Sequence, residues 1–209
     1  MTPDQTRARI LEAADGLFGT LGFDATTTRD IAEKSGVNKA LIHYHYGSKD
    51  ELLATLLDGY YARLSEALAP ALTRGGTPLA QVESVLDTYA DFLAENLTFC
   101  RIVSREVASG RHMERIVERT WPVMKLCADW LAHAAPKAPV TMEAAQVLTS
   151  IYGMVVTYFT HGEVVRHLTG QDPFSPKALA ARKRHVRAVA GLLLASLTEL
   201  PLPEVVRSR

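Results

Sequence analysis

Between Lys34 and Lys49 the sequence carries three lysines, two histidines and two tyrosines, and no carboxylate. Cations and hydroxyls without acid among them suit a surface that meets phosphates, because every carboxylate there would repel a nucleic-acid duplex. Asn38 stands where a cap would open a short helix, so Lys39, Ala40 and His43 fall near its amino end. Lys39 can donate to guanine O6 and N7, Ala40 can meet a thymine methyl or admit close approach, and His43 can donate or accept. These three are expected on the side turned away from Leu41 and Ile42. Thr28, Tyr44, His45 and Lys49 would flank them as contacts to the phosphate backbone. Tyr44 and Tyr46 could instead pack against Phe18 and Phe23, and for Tyr46 core packing is the expectation.

No other group of residues makes a catalytic constellation. Cys127 and His133 lie six apart, on different faces of a helix, and neither a serine elbow nor a glycine-rich phosphate loop is present. His43 and His45 diverge by about 200° on a helix, and His161 with His167 fares no better as a metal pair. The expectation is a protein that is not an enzyme and holds neither a cofactor nor a metal.

A small-molecule pocket is a different matter. Tyr89, Phe92, Phe99, Trp121, Met124, Trp130 and Tyr152 are apolar or aromatic candidates to line one, with Arg101, Arg105 and Glu106 as its polar groups. Aromatic residues at helical spacing are also ordinary core, and Arg101 and Arg105 could pair with Glu106 in solvent.

The elements that position these residues read as helices throughout. Thr2-Pro3-Asp4-Gln5, Thr27-Thr28-Arg29-Asp30 and Ser48-Lys49-Asp50-Glu51 are capping boxes, and Gly22 and Gly36 mark helix ends. Ser35-Gly36-Val37 joins two short helices into a helix-turn-helix. Arg74-Gly75-Gly76-Thr77-Pro78 is the strongest break, and Pro122 should start or kink a helix. The predicted fold class is all-α with about nine helices: a three-helix helix-turn-helix domain over 1–48, then a larger helical bundle over 49–209 for ligand binding and dimerisation. The run 142–165 is apolar nearly all round and must be covered on several sides. With the stripe of the last helix, it suggests a dimer interface through Val147, Ile151, Val155, Phe159, Val186, Val189, Leu193 and Leu197. The basic run Arg182-Lys183-Arg184-His185-x-Arg187 reads as a solvated helix face.

Composition agrees with a folded bundle. The 209 residues are 47% hydrophobic and 22% charged, which excludes a disordered or low-complexity chain. Net charge is zero, with 23 basic and 23 acidic residues, so only local charge can speak for nucleic acid. No apolar run is long enough to span a membrane. The charged start, with Asp4, Arg7, Arg9, Glu12 and Asp15, does not resemble a signal peptide, and two cysteines fit a reducing compartment, so a cytoplasmic location is expected.

The segments Ile10-Leu11-x-Ala13-Ala14-x-x-Leu17-Phe18, Gly22-Phe23, Thr27-Thr28-Arg29-x-Ile31-Ala32, Gly36-Val37 and Tyr44-His45-Tyr46-x-Ser48-Lys49-x-x-Leu52 together resemble the TetR family of bacterial transcriptional regulators. The resemblance spans about 50 residues and fades after about Leu57. It implies a two-domain helical homodimer that reads a two-fold symmetric DNA operator and answers a small-molecule effector, usually as a repressor. It further implies phosphate contacts from Thr28, Tyr44, His45 and Lys49, base contacts from Arg29, Lys39, Ala40 and His43, and a dimer interface built from the final two helices. Leu41 and His43 depart from the residues common at those places. The competing expectation is a helical ligand-binding or scaffolding protein whose amino-terminal unit no longer reads DNA.

Overall fold

The computed structural model describes residues 2–110, 112–134 and 141–198. Among them the chain forms ten α-helices and no strand: α1 (Pro3–Leu21), α2 (Thr28–Ser35), α3 (Lys39–Tyr46), α4 (Lys49–Thr73), α5 (Pro78–Glu95), α6 (Leu97–Ser109), α7 (Met113–Ala134), α8 (Thr141–Thr160), α9 (Gly162–Thr169) and α10 (Pro176–Thr198). They fall into two compact units. One contains the residues up to Arg63 together with Asn96–Thr120, and the other contains Leu64–Glu95 and the chain from Trp121 onward.

Local chemistry sets the helix starts in the first unit. Thr2 and Gln5 cap α1 reciprocally, and Pro3 sits in the first turn, where its missing N–H is not needed. Thr27 accepts from the Asp30 amide while the Asp30 carboxylate accepts from the Thr27 amide at 2.8 Å, which opens α2. Burial then fixes the packing. α1 lies against α2 and α6, and α2 against α3. Ile10, Phe18, Ile31, Ile42, Leu52, Leu53, Leu57 and Ile102 are almost wholly removed from water, each a gain of about 1.5–3 kcal/mol over exposure.

The second unit packs α5 and α8 against α10, and α9 against α8. Val147 and Leu194 are buried among Leu79, Val82, Trp130, Leu148, Ile151 and Leu193. The apolar run over 142–165 is not one helix. It stops at Thr160, and α9 begins at Gly162, where the Phe174 ring packs so closely that a Cβ would come within 2.7 Å of it. That division accounts for the tenth helix. α7 continues through Pro122, so no helix starts there.

Candidate nucleic-acid interface

The turn between α2 and α3 follows from one backbone requirement. Gly36 takes a left-handed conformation (φ 64°, ψ 32°), and its amide and that of Val37 return to the α2 carbonyls of Glu33 and Ala32. A side chain at Gly36 would strain this turn. Ser35 is buried and donates to the Ile31 carbonyl. Asn38 then accepts from the Ala40 amide at 2.9 Å and opens α3.

α3 buries Ile42 and Tyr46 and leaves Lys39, Ala40, His43 and Tyr44 exposed. Tyr44 is 81% exposed and meets only the edge of the His45 ring, at 5.0 Å between centroids. An aromatic residue that open to water has a phenol free, among the described residues, to donate to a phosphate. Arg29 is exposed and Thr28 half-buried in the first turn of α2, and His45 is half-buried. Tyr46 is core, as expected, but its neighbour is Arg7: its hydroxyl donates to the Arg7 carbonyl at 2.9 Å and its ring lies under the Arg7 guanidinium. Burial pushes the Tyr46 phenol above its ordinary range, and the nearby Arg7 charge opposes this.

Three readings of this surface change. Leu41 is 36% exposed and does not share the inward side with Ile42. It adds an apolar contact to the outer face of α3. His43 is not free at both nitrogens, because Nδ1 lies 2.8 Å from the Gly47 carbonyl oxygen. Lys49 is half-buried and donates to the carbonyls of Phe23 at 2.7 Å and Thr26 at 2.8 Å, with its ammonium over the Phe23 ring. One of its three N–H groups remains for a phosphate.

The proposed pocket residues are divided between the two units. Phe99, Arg101 and Arg105 lie in the first unit, and Tyr89, Phe92, Trp121, Met124 and Tyr152 in the second. Phe99 is core, stacked on Tyr60 and edge-on to Tyr61. Arg105 turns to the end of α1 and donates to the carbonyls of Phe18, Gly19 and Thr20. Arg101 is exposed, Trp121 is 62% exposed, and Trp130 donates to the Gln81 side chain. Phe92 is buried, while Tyr89, Met124 and Tyr152 are half-buried. Glu106 does not pair with either arginine; it is buried against His112. Sequence reading missed a small cleft among α5, α8 and α10, walled by Leu86, Ala90, Val155, Phe159 and Val186 and edged by Asp87 and Arg182. Asp87 Oδ1 and Arg182 Nε are buried there without a hydrogen-bond partner among the described residues. Burial lowers the Arg182 pKa, opposed by Tyr158, whose ring lies under the guanidinium.

The dimer candidates divide in the same way. Val147, Val155, Phe159 and Val186 are already buried within the second unit of the single chain. Ile151, Val189 and Leu193 are partly buried, and Leu197 lies outside the residues whose side chains are described. Val164, Leu168 and Leu192 are the large apolar residues left exposed on α9 and α10 among the described residues. The basic run of α10 is no solvated face throughout: Lys183 pairs with Asp91, Arg187 with Asp87 at 3.2 Å, and Arg182 donates to the Met154 carbonyl.

Known proteins resemble the chain in both units. Residues 10–56 match the family described as bacterial regulatory proteins, tetR family, and residues 78–189 match the tetracyclin repressor-like C-terminal domain. The HTH-type transcriptional repressor Rv3405c of Mycobacterium tuberculosis is 36% identical over 94 residues, 45% of this chain and 47% of the relative. The HTH-type transcriptional repressor KstR2 of the same species is 30% identical over 130 residues, 60% of this chain and 64% of the relative. The chain thus spans about half the length of the first of these relatives. A solved TetR-like transcriptional regulator from Rhodococcus sp. RHA1 shares the fold, with a TM-score of 0.70 at 21% identity over 88% of this chain and 93% of that one.

Proposed function

The chain belongs to the TetR family of bacterial regulatory proteins, and from that premise we propose that it is a homodimeric, sequence-specific DNA-binding repressor released from a two-fold symmetric operator by a small molecule. Residues 1–48 act as the DNA reader and 49–209 as the ligand-binding and dimerisation portion. The observation that carries the reading is the outer face of α3, where Lys39, Ala40, His43 and Tyr44 stand exposed on a stretch free of carboxylates. Two such helices enter successive major grooves, with Lys39, Ala40 and His43 toward base edges and Arg29 beside them. Tyr44, Thr28, His45 and the remaining N–H of Lys49 hold phosphates, and Asn38 keeps the start of α3 in place.

The effector acts by binding the DNA-incompetent conformation more tightly, since equal affinity for both would shift nothing. Asp87 Oδ1 and Arg182 Nε support the α5–α8–α10 cleft as its entry point, because buried polar atoms without partners are costly until something satisfies them. Tyr89, Phe92, Met124 and Tyr152 remain candidates to border an enlarged, ligand-filled form. Dimerisation uses the outer faces of α8 and α10, to which Leu192 contributes. Acting on DNA, the protein works in the cytoplasm.

Selection of duplexes from a random DNA library by the purified protein tests the proposal. Enrichment of an inverted repeat with fixed half-site spacing is expected. A folded dimer that enriches nothing would overturn it in favour of a scaffolding role.

A further inference from the structure

The first unit holds a buried ionisable cluster that DNA contact does not use. His112, just before α7, is 9% exposed, and Glu106 near the end of α6 is 4% exposed. His112 Nδ1 is hydrogen-bonded to Glu106 Oε2, and Nε2 lies 3.2 Å from Oδ1 of Asp50, in the first turn of α4. With both carboxylates ionised each of them only accepts, so both ring nitrogens must donate for the two bonds to form together. Its ring stands edge-on to Phe23, 4.8 Å between centroids. The other partner of Phe23 is Lys49, whose ammonium lies 4.1 Å from the ring centroid and holds the Phe23 and Thr26 carbonyls. Arg115 of α7 donates to the Asp50 carbonyl at 3.3 Å and pairs with Glu51, while Arg105 of α6 is occupied at the end of α1.

We propose that His112 is a positioning residue for DNA reading: held between Glu106 and Asp50, it fixes the first turn of α4 and the Phe23 loop, and with them the phosphate-facing edge that includes Lys49. The clamp is whole only while the imidazole keeps both protons. Loss of one sets a lone pair against a carboxylate at Nδ1 or Nε2, which turns one attraction into a repulsion. The charges facing the ring are Glu106 from α6 and Asp50 from α4; Lys49 stands behind Phe23, and Arg115 and Glu51 lie beyond Asp50. Operator affinity therefore falls once the imidazole gives up either proton.

The inference rests on the DNA-reading proposal, and the test separates the two. Affinity for the inverted-repeat duplex enriched from the random library is measured from pH 6 to 8.5 at constant ionic strength for the wild type, Glu106→Gln and His112→Gln. Glutamine at 106 can donate to the deprotonated Nδ1, so Glu106→Gln should hold its affinity within about twofold across the range while the wild type loses about tenfold, the effect of about 1.4 kcal/mol. His112→Gln should be weaker at low pH and nearly flat. His43 and His45 are unchanged in every variant, so the difference between profiles belongs to His112. Asp50→Asn, at the exposed end of the cluster, replaces Glu106→Gln if that variant does not fold. Superimposable pH profiles for the wild type and the amide variants would overturn the clamp and leave DNA reading intact. No selective binding by the wild type at any pH would overturn both.

Discussion

His43 donates from Nδ1 to the carbonyl oxygen of Gly47, the residue that ends α3, across 2.8 Å. A carbonyl only accepts, so this bond fixes the tautomer, and a neutral His43 presents Nε2 as an acceptor. The exocyclic amino groups of adenine and cytosine are the donors in the major groove. Replacing the amino-bearing base that His43 reads should therefore cost the wild type about 1–3 kcal/mol of binding. In His43→Ala the same base change should matter little. Competition titrations with base-substituted duplexes measure both, and an unchanged ranking of duplexes by His43→Ala would sink the assignment.

Tyr44 and Tyr46 sit two apart and should separate stability from binding. Tyr44→Ala removes a side chain that is 81% exposed, so its unfolding free energy should stay within about 0.5 kcal/mol of the wild type. Its affinity for DNA should fall by about tenfold, the scale of a lost hydrogen bond to a charged group. Tyr46→Phe loses the bond to the Arg7 carbonyl, which should cost about 1 kcal/mol and lower the melting temperature by about 2–4 °C. Thermal melts beside binding isotherms check the pair, and a destabilised Tyr44→Ala would contradict the exposed placement.

Lys39 and Lys49 are both proposed to meet DNA but differ in what else they do. Lys39→Ala should leave stability unchanged and reduce the slope of log affinity against log salt by about one. Lys49→Ala should weaken binding evenly across sequences and also destabilise the fold by about 1.5–3 kcal/mol, since two carbonyls lose a charged donor. Denaturant titrations of the two variants give the contrast. Equal stabilities would mean that the Phe23 and Thr26 carbonyls do not depend on Lys49.

Asp15 supplies a pH effect of known sign. Burial raises its pKa above 3.8, although the hydrogen bond from Tyr60 and the charges of Arg63 and Lys34 pull the other way. A raised carboxyl pKa means that ionised Asp15 costs the folded state, fully above its folded pKa, and that the cost vanishes as pH falls below the unfolded value. Asp15→Asn keeps an acceptor for Tyr60 without the charge, so it should melt higher than the wild type at pH 7, and the gap should close as pH falls toward 4. A gap that widens on acidification would reverse the sign.

The capping boxes at Thr2 and Thr27, the one-way cap from Ser48 to the Glu51 amide and the turn at Gly36 were legible because each joins residues three or four apart. So was the exposed face of α3, apart from Leu41. What could not be read depends on partners far along the chain. Lys49 looks like any surface lysine until the carbonyls of Phe23 and Thr26, 26 and 23 residues away, are set beneath it. Arg105 and Glu106 are neighbours in sequence, yet one caps α1 and the other turns inward to His112. The stripes on α8 and α10 show a related limit: an apolar stripe says that a face is covered, and α5 covers part of it within the chain itself.

The first unit is built from two stretches of chain, one ending at Arg63 and the other running from Asn96 to Thr120. Arg105 closes the end of α1 across some 85 residues of sequence. On the ribosome, then, the three amino-terminal helices emerge long before the segment that completes their packing, and at 5–20 residues per second the delay is several seconds. A polypeptide cut short between Arg63 and Asn96 would carry Lys39, Ala40 and His43 but not the α6 surface that packs on α1. Such products should be cleared by proteolysis.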